Sequence, residues 1–309
     1  ADLATTSHDI PIPLNDRVLR FVEIFQGRLR PFLTEGLARG AAYLPMIHTV
    51  FREEGLPLDL GFVPLVESAF KTTALSRANA RGVWQFMRPT GKEYGLRSDW
   101  YIDERADPEK ATRAAAKYLK ALHRMFGDWH LAIASYNGGP GRVQRAVKRT
   151  GIDNFWELTD SSRHLPRETR DYVPMILAAA IIARNPGQYG FEIPATLPFA
   201  TDVVTVSGPV DLRNVAEWAG VPADDIRSLN PELRRWTTPV RAREYQLRVP
   251  LGTMASVLEG YAGAAPGDAA ALQWYTVRKG ESLPTIARRL RVSRTDLAEA
   301  NYLNTTARV

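Results

Sequence analysis

Apolar residues recur at helical spacing through most of the first 185 positions of the chain. The clearest set is Val18, Phe21, Val22 and Phe25. Spacing of three and four residues is typical of amphipathic helices. Asp107–Pro108 is a typical helix start, with a capping side chain before proline, and Gly127 is a typical helix end. We therefore predict that residues 16–185 are mainly helical, with no strand before residue 200.

The pattern changes after residues 185–200, which are rich in proline and glycine and indicate a linker. The β-branched residues at 201–206 then predict a strand. An internal repeat follows, because residues 204–230 align with residues 275–301 at a constant offset of 71. Each copy is predicted to form a strand, a helix, a turn and a second helix.

The first copy of the repeat continues into a predicted closing strand at residues 245–250. The equivalent positions of the second copy, 316–321, lie beyond Val309, so we expect the second copy to lack its last strand. The first copy should be a closed unit, whereas the second should be loosely ordered or have its strand edge covered. Residues 260–272, rich in glycine and alanine, predict a flexible linker between the copies.

Composition narrows the classes of function. The chain of 309 residues has a net charge of +6, which suits a nucleic acid, a membrane surface or an acidic wall polymer. No aromatic-rich basic motif singles out nucleic acid. The absence of cysteine excludes disulfides, thiolate zinc sites and cysteine nucleophiles. The longest apolar run, residues 175–183, is shorter than the roughly 20 residues that span a bilayer, and it predicts a buried helix. The start at Ala1, without methionine or an apolar signal core, is typical of a processed chain.

A glutamate closes the apolar stretch FVPLVESAF, residues 62–70. The simplest interpretation of Glu67 is a partly exposed residue at a helix end. Its apolar neighbours favour another one, since burial disfavours the charged carboxylate and raises its pKa. A carboxyl group that stays protonated near neutral pH can act as a general acid.

Three further segments each have a structural explanation when taken alone. GVWQFM (82–87) is typical of a buried turn before a helix, with Gln85 bonded to backbone. SYNGGPGRV (135–143) is typical of one helix ending and another beginning at Pro140, and ETRDYV (168–173) of a helix start.

Together with ESAF at 67–70, these segments resemble the transglycosylase domain of the soluble lytic transglycosylase family, related to goose-type lysozyme. The resemblance covers roughly residues 40–190, in the family's order and spacing. It departs at Trp84, where the family has methionine before the glutamine. The repeats resemble LysM modules, which bind glycans containing N-acetylglucosamine. The second copy is the clearer match and the first looks degenerate, so a βααβ unit without ligand stays an alternative for each.

The resemblance implies a mainly α lysozyme-like catalytic domain followed by small α+β (βααβ) LysM-like modules. The expected boundaries are 1–195 for the catalytic domain with an N-terminal helical extension, 200–252 for the first module and 272–309 for the truncated second. The implied reaction cleaves the β-1,4 bond between N-acetylmuramic acid and N-acetylglucosamine and leaves a 1,6-anhydro end. It requires no cofactor and no metal ion.

The resemblance also implies the site. Glu67 would be the catalytic acid and then the base. The implied substrate-binding residues are Ser68, Ser76, Gln85, Met87, Tyr136, Asn137 and Tyr172.

Their chemistry fits an N-acetylated sugar. Tyr136 and Tyr172 could each hold the carboxyl of Glu67 or the acetamido group, and the amides of Gln85 and Asn137 both donate and accept. Ser76 matches a serine near the scissile sugar, whereas Ser68 is expected to support the turn.

Other side chains near the motifs have supporting interpretations. Trp84 is either a stacking surface for sugar or part of the core, and Met87 adds apolar surface. Arg81, Arg88 and Arg142 could steer a polymer whose peptide stems carry carboxylates.

Ordinary glycosidases use two carboxyl groups. The acidic cluster that follows Glu67 in sequence consists of Asp99, Asp103, Glu104 and Asp107. They fall in a predicted polar loop or a helix cap, so none is an obvious partner, and the resemblance implies that none is needed.

The expected partners are peptidoglycan glycan strands, with N-acetylglucosamine oligomers at the LysM modules and no nucleic acid. The expected location is the bacterial periplasm or cell envelope, with outer-membrane attachment through a segment outside this chain. The alternatives are a hydrolytic muramidase on the same fold, a non-catalytic wall-binding protein and, supported only by charge, a nucleic-acid binder.

Overall fold

The computed structural model describes residues 8–161, 164–194, 200–264 and 275–309. The chain divides into two compact units. The first contains Ala1–Leu96 and Pro108–Phe199, and the second contains Arg97–Asp107 and Ala200–Val309. A short segment from the middle of the helical region therefore belongs to the same unit as the C-terminal repeats.

The first unit is helical, as predicted. Its α-helices are α1 (Asp16–Gln26), α2 (Arg30–Glu54), α3 (Val63–Ser68), α4 (Arg88–Glu93), α5 (Pro108–Phe126), α6 (Trp129–Gly138), α7 (Pro140–Thr150), α8 (Phe155–Ser161) and α9 (Arg167–Arg184). Short 3₁₀ turns occupy Leu58–Phe62 and Pro186–Tyr189. Helix α5 begins at Pro108 and ends before Gly127, where the backbone has a φ of +68°.

Helices α6 and α9 form the centre of this unit. Residues 130–135 of α6 and 176–182 of α9 are buried without interruption. A helix that is apolar on all sides must be covered on all sides. Helix α6 packs against α5, α7 and α9, and α9 packs against α1 and α3 as well. The apolar run 175–183 is confirmed as a helix of the core, and no helix in the described part of the chain is long and apolar enough to cross a bilayer.

Two glycines in α2 allow α3 to pack closely against it. A Cβ atom on Gly36 would lie 2.5 Å from Leu65, and one on Gly40 would lie 2.6 Å from the ring of Phe70. Distances this short are not tolerated between carbon atoms, so the contact requires residues without a side chain. The four-residue spacing places both glycines on one face of α2.

A buried carboxylate fixes the 3₁₀ turn that leads into α3. Asp59 is 1% exposed and accepts hydrogen bonds from the backbone amide of Asp9 at 2.7 Å and from Nη2 of Arg184 at 2.8 Å. Arg184 lies in the last turn of α9. The N-terminal segment, the turn before α3 and α9 are thus joined through one side chain.

Helix α9 contains a proline in its interior, Pro174. Proline has no amide hydrogen, so the carbonyl four residues earlier, that of Arg170, receives no helical hydrogen bond from it. Nη2 of Arg17 in α1 donates to this carbonyl instead. The break in the hydrogen-bond ladder of α9 is therefore closed by a side chain from α1.

The second unit combines a two-stranded sheet with five helices in its described part. These elements are β1 (Thr201–Val206), α10 (Leu212–Ala219), α11 (Ala223–Leu229), β2 (Tyr245–Pro250), α12 (Met254–Gly263), α13 (Leu283–Leu290) and α14 (Arg294–Ala300). Strands β1 and β2 pair antiparallel, with Thr201 opposite Pro250 and Val206 opposite Tyr245. The predicted closing strand of the first copy is confirmed. In residues 275–309 the two predicted helices of the second copy are present and no strand is formed; Trp274, in its predicted strand, lies outside the described residues.

The segment 97–107 packs onto the first copy within this unit. The backbones of Ile102 and Leu233 form a β-bridge, and the amide of Asp103 donates to the carbonyl of Glu232 at 2.8 Å. Nη2 of Arg248 lies 2.9 Å from the carboxylate of Asp107. The segment thus contributes backbone pairing and a buried ion pair to the core of the repeat.

Two expectations about loops were wrong. Asp103 and Glu104, expected in a polar loop, are buried and paired with Arg105 and Arg97, and Glu104 begins a 3₁₀ turn (Glu104–Ala106). The predicted linker 260–272 begins inside α12; residues 265–272 lie outside the described part.

Packing explains the helix at the start of that linker. A Cβ atom on Gly260 would lie 2.3 Å from the indole of Trp218, and the hydroxyl of Tyr261 donates to the carbonyl of Ser207 at 2.6 Å. The glycine, which favoured a flexible linker by composition, is the residue that lets Trp218 approach.

We predict that Gly40→Ala destabilises the protein by about 1–3 kcal/mol, because the added methyl group would overlap the ring of Phe70. The matched control is Gly141→Ala in α7, where the nearest atom is the flexible end of Arg145 at 3.4 Å. That change should be neutral or stabilise by up to about 1 kcal/mol through helix propensity. Urea unfolding of both variants measures the difference; equal effects would contradict the close α2–α3 packing.

Candidate active site

Glu67 lies in the last turn of α3, the helix packed between α2 and α9. In this turn Leu65 and Ser68 are buried, whereas Val66 and Glu67 are half-buried. The helix ends here because Ala69 and Phe70 adopt left-handed backbone conformations, with φ of +49° and +59°. The apolar pattern of 62–70 therefore places a carboxyl group at the edge of the core.

The hydroxyl of Tyr172, in α9, donates a hydrogen bond to Oε1 of Glu67. Burial raises the pKa of Glu67 from 4.5 to about 7. The hydrogen bond from Tyr172 opposes this by lowering the pKa, and the negative charge of Glu168 adds to the rise. A carboxyl group with a pKa near neutrality is available in both its protonated and its ionised form, which suits a group that both gives and takes a proton.

Burial raises the pKa of Tyr136, at the end of α6, and the charge of Glu67 adds to the rise, as both effects do for Tyr172. The hydroxyl of Tyr136 donates to the carbonyl of Trp84 at 2.7 Å. The hydrogen bond to Glu67 therefore comes from Tyr172, and Tyr136 instead links α6 to the turn before α4. The ring of Tyr136 lies 5.3 Å from that of Tyr118 and 6.3 Å from that of Phe86.

The strained turn after Glu67 is held by two side chains. Nε of Arg39 in α2 donates to the carbonyl of Ala69 at 2.8 Å. The hydroxyl of Ser68, which is buried, donates to the carbonyl of Val83 at 2.9 Å. Left-handed backbone at residues with side chains is unfavourable and persists only where surrounding contacts enforce it. The hydroxyl of Ser68 thus bonds to backbone, and this agrees with the expectation that Ser68 supports the turn.

Gln85 also has a left-handed backbone, with φ of +47°. Its Nε2 atom donates to the carbonyl of Gly82 at 2.8 Å, the backbone bonding that the sequence suggested. Ser76 accepts a hydrogen bond from the amide of Ala80 at 3.0 Å. Met87 is 42% exposed and offers apolar surface.

Trp84 is a residue of the core. Its side chain is fully buried, and its Nε1 atom donates to Oγ1 of Thr112 at 2.9 Å. Of the two interpretations that the sequence left open, a core residue is confirmed, and a sugar cannot stack on this indole because its side chain is fully buried. The polar N–H group of this large side chain therefore has its hydrogen-bond partner in α5.

Asn137 is bonded to the start of α9 through both atoms of its amide. Oγ1 of Thr169 donates to its Oδ1 at 2.9 Å, and its Nδ2 donates to Glu168 at 3.4 Å. Gly138 makes this contact possible, since a Cβ atom there would lie 2.8 Å from the side chain of Thr169. The end of α6 and the beginning of α9, which carries Tyr172, are therefore held together.

Reasoning from the sequence missed Arg39, Glu168 and Thr169. Glu168 precedes Tyr172 by four residues, which places the two on one helical face, so this spacing was a usable signal. It is a carboxylate that acts on Glu67, whereas Asp99, Asp103, Glu104 and Asp107 belong to the second unit. Arg39 and Thr169 carried no signal, because they act only through contacts between helices.

Sequence comparison identifies the two parts of the chain. The model of the family described as "Transglycosylase SLT domain" matches residues 52–159. That described as "Lytic transglycosylase MltD, LysM-like domain" matches residues 200–262, and the LysM domain model matches residues 275–307. Membrane-bound lytic murein transglycosylase D of Escherichia coli is 35% identical over 311 aligned residues, which cover 94% of this chain and 67% of the relative.

The chain belongs to the lytic murein transglycosylase D family. It is also similar to membrane-bound lytic murein transglycosylase F of Alteromonas mediterranea, at 30% identity over 33% of this chain and 22% of the relative. The solved structure of an inactive variant of lytic transglycosylase Slt from Pseudomonas aeruginosa matches with a TM-score of 0.40 at 28% identity, over 48% of this chain and 25% of that chain. The resemblance drawn from the four motifs and the repeats is confirmed.

We predict opposite shifts in the pH profile of kcat/KM for two neighbours of Glu67. Glu168→Gln removes a charge that raises the pKa of Glu67, so the basic limb should move to lower pH. Tyr172→Phe removes the hydrogen bond that lowers this pKa, so activity should be weaker and its basic limb should move to higher pH. Asp171→Asn, whose carboxylate pairs with Arg167, is the control and should leave the limb in place. Shifts in the same direction would contradict this electrostatic account.

We also predict that Glu67→Gln stabilises the folded protein at alkaline pH. Because folding raises the pKa of Glu67 from 4.5 to about 7, its favourable contribution is present below pH 4.5 and is lost as the pH rises through 7. The shift corresponds to about 3 kcal/mol at most. Urea unfolding should show a higher free energy of unfolding for the variant than for the parent protein at pH 8 but not at pH 5. The exposed Glu23→Gln should show no such gain.

Proposed function

We propose that this chain cleaves the β-1,4 bond between N-acetylmuramic acid and N-acetylglucosamine in peptidoglycan and leaves a 1,6-anhydro-N-acetylmuramic acid end. The observation that carries the proposal is the hydrogen bond from Tyr172 to the carboxyl group of Glu67, whose pKa is raised by burial to about 7. The family membership of the chain supports the same reaction.

In the proposed mechanism, the protonated carboxyl of Glu67 gives its proton to the glycosidic oxygen as the bond to C1 breaks. The acetamido oxygen of the same muramic acid residue stabilises the positive charge at C1. The carboxylate of Glu67 then takes the proton of the C6 hydroxyl as O6 attacks C1. Glu67 returns to its starting state and no water is consumed, so one carboxyl group serves both steps.

The remaining residues have proposed supporting roles. Tyr172 orients the carboxyl group of Glu67 and limits its pKa. Gln85, Ser76 and Met87 contact the sugars, while Ser68 and Asn137 hold the turn after Glu67 and the start of α9 in position. This assignment follows the hydrogen bonds of Ser68 and Asn137, which are directed at protein atoms.

For the C-terminal part we propose binding to N-acetylglucosamine oligomers at the LysM-like repeats, and the LysM family models that match residues 200–262 and 275–307 support this. The location we propose is the bacterial periplasm, with attachment to the outer membrane. The relative whose name describes it as membrane-bound supports a location at the cell envelope.

Mass spectrometry of the products from purified peptidoglycan tests the reaction. We expect muropeptides lighter than the hydrolytic products by the mass of one water molecule, since the anhydro end forms without water. Reducing ends instead would show a hydrolytic muramidase on the same fold. Glu67→Gln should lower turnover by at least about 100-fold. This is the lower end of the contribution of general acid–base catalysis, and here one group is proposed to act in both steps. A variant that keeps more than about a tenth of the activity would exclude Glu67 as the acid.

A further inference from the structure

Helix α7 presents a row of cations to solvent. Arg142, Arg145, Lys148 and Arg149 are all exposed, and the helix contains no acidic residue. Among the residues that the structure describes, no carboxylate lies within ion-pair distance of these four side chains. Val143 and Ala146 on the opposite face are buried. The helix is therefore anchored by its apolar face and carries an unneutralised positive face.

Folding alone does not account for this row. Lys148 and Arg149 stand in the last turn, where cations are favoured by the helix dipole, but Arg142 stands in the first turn, where they are disfavoured. Spacings of three and four residues from Arg145 to each of the other cations bring like charges together on the helix surface. A row that weakens the free helix is expected where an anionic ligand neutralises it.

The side chains lean toward the end of α7 that adjoins the candidate site. In an α-helix, side chains tilt toward the N-terminus. Nη1 of Arg145 shows this directly, since it lies 3.4 Å from where a Cβ atom on Gly141 would stand. Helix α7 begins at Pro140, three residues after Asn137, which is bonded to Glu168 and Thr169 beside Tyr172. The end of α7 toward which these side chains lean therefore closely follows, in the chain, the residue that binds the start of α9.

We propose that this face of α7 binds the carboxylate groups of the peptide stems on the glycan strand being cleaved, so that the enzyme prefers strands that carry stems. The inference rests on the proposed function. Arg142 and Arg149 are seven residues apart, which is about 10 Å along a helix and equals about three residues of an extended peptide. Arginine presents paired donors that match a carboxylate. Flexible cations at this spacing fit a short peptide with several carboxylates.

The test compares two substrates and two variants. The substrates are purified peptidoglycan strands with peptide stems and the same strands after enzymatic removal of the stems. In the first variant, Arg142, Arg145, Lys148 and Arg149 are all changed to glutamine. In the control variant the same change is made at four other exposed cations of the first unit, Arg20, Arg28, Arg52 and Lys117. Circular dichroism and the Tm establish that both variants are folded.

We expect the α7 variant to raise KM for stem-bearing strands about tenfold, as several exposed charge pairs would, with kcat within about twofold. The stem-free strands and the control variant should show no such change. The difference should shrink at high salt, because exposed charges are screened over about 8 Å at physiological ionic strength. An unchanged KM, or an equal loss on stem-free strands, would overturn the proposal.

Binding separates this proposal from the reaction. Glu67→Gln, with and without the α7 changes, is sedimented with intact or stem-free peptidoglycan and, separately, with phosphatidylglycerol vesicles. Loss of binding to intact peptidoglycan alone supports the stem site even if the parent enzyme releases no anhydro product, a result that would overturn only the proposed function. Loss confined to the vesicles would show that α7 binds a membrane and would overturn the stem site.

Discussion

The hydrogen bond from Tyr172 to Glu67 joins two helices whose residues are 105 positions apart, and much of the first unit serves to bring them together. Burial by itself would hold the carboxyl group protonated, while a strong hydrogen bond by itself would hold it ionised. The two effects oppose each other at Glu67 and leave its pKa near 7. A reaction that uses one group as acid and then as base requires this balance. The balance in turn depends on the position of α3, which carries Glu67, relative to α9, which carries Tyr172.

That position is fixed from three sides. On one side the glycines of α2 allow α3 to approach, and Arg39 of the same helix holds the carbonyl just after the catalytic turn. Asp59 binds the preceding turn to the end of α9, and Ser68 binds the following one to the backbone at Val83. Contacts on both sides of this turn maintain the unfavourable backbone at Ala69 and Phe70. These packing and hydrogen-bond contacts together fix the position of the carboxyl group of Glu67.

The sequence allowed the helical unit, the repeats and the approximate ends of several helices to be predicted, because these depend on local signals. Pro108, Gly127 and Pro140 restrict the backbone at their own positions, so the helix ends that they mark can be predicted without knowledge of the fold. The failures were tertiary. Asp103 and Glu104 were expected in a polar loop because nothing local shows that their segment pairs with residues 232–234. Trp84 was ambiguous because only Thr112, in another helix, decides where its ring lies, and Gly260 was misread because its partner Trp218 is distant in sequence.

The proline in α9 bears on how the catalytic part of this chain could be isolated. The stretch recognised by the family model, residues 52–159, contains Glu67 but ends before Tyr172. A fragment cut at those limits would keep the acid and lose the phenol that binds it. Adding α9 alone would still leave the carbonyl of Arg170 without its partner, because Pro174 cannot donate to it and Arg17 lies in α1. The smallest fragment that preserves the site therefore begins no later than α1 and ends no earlier than Arg184. The SLT family model thus covers only part of the chain that holds the site together.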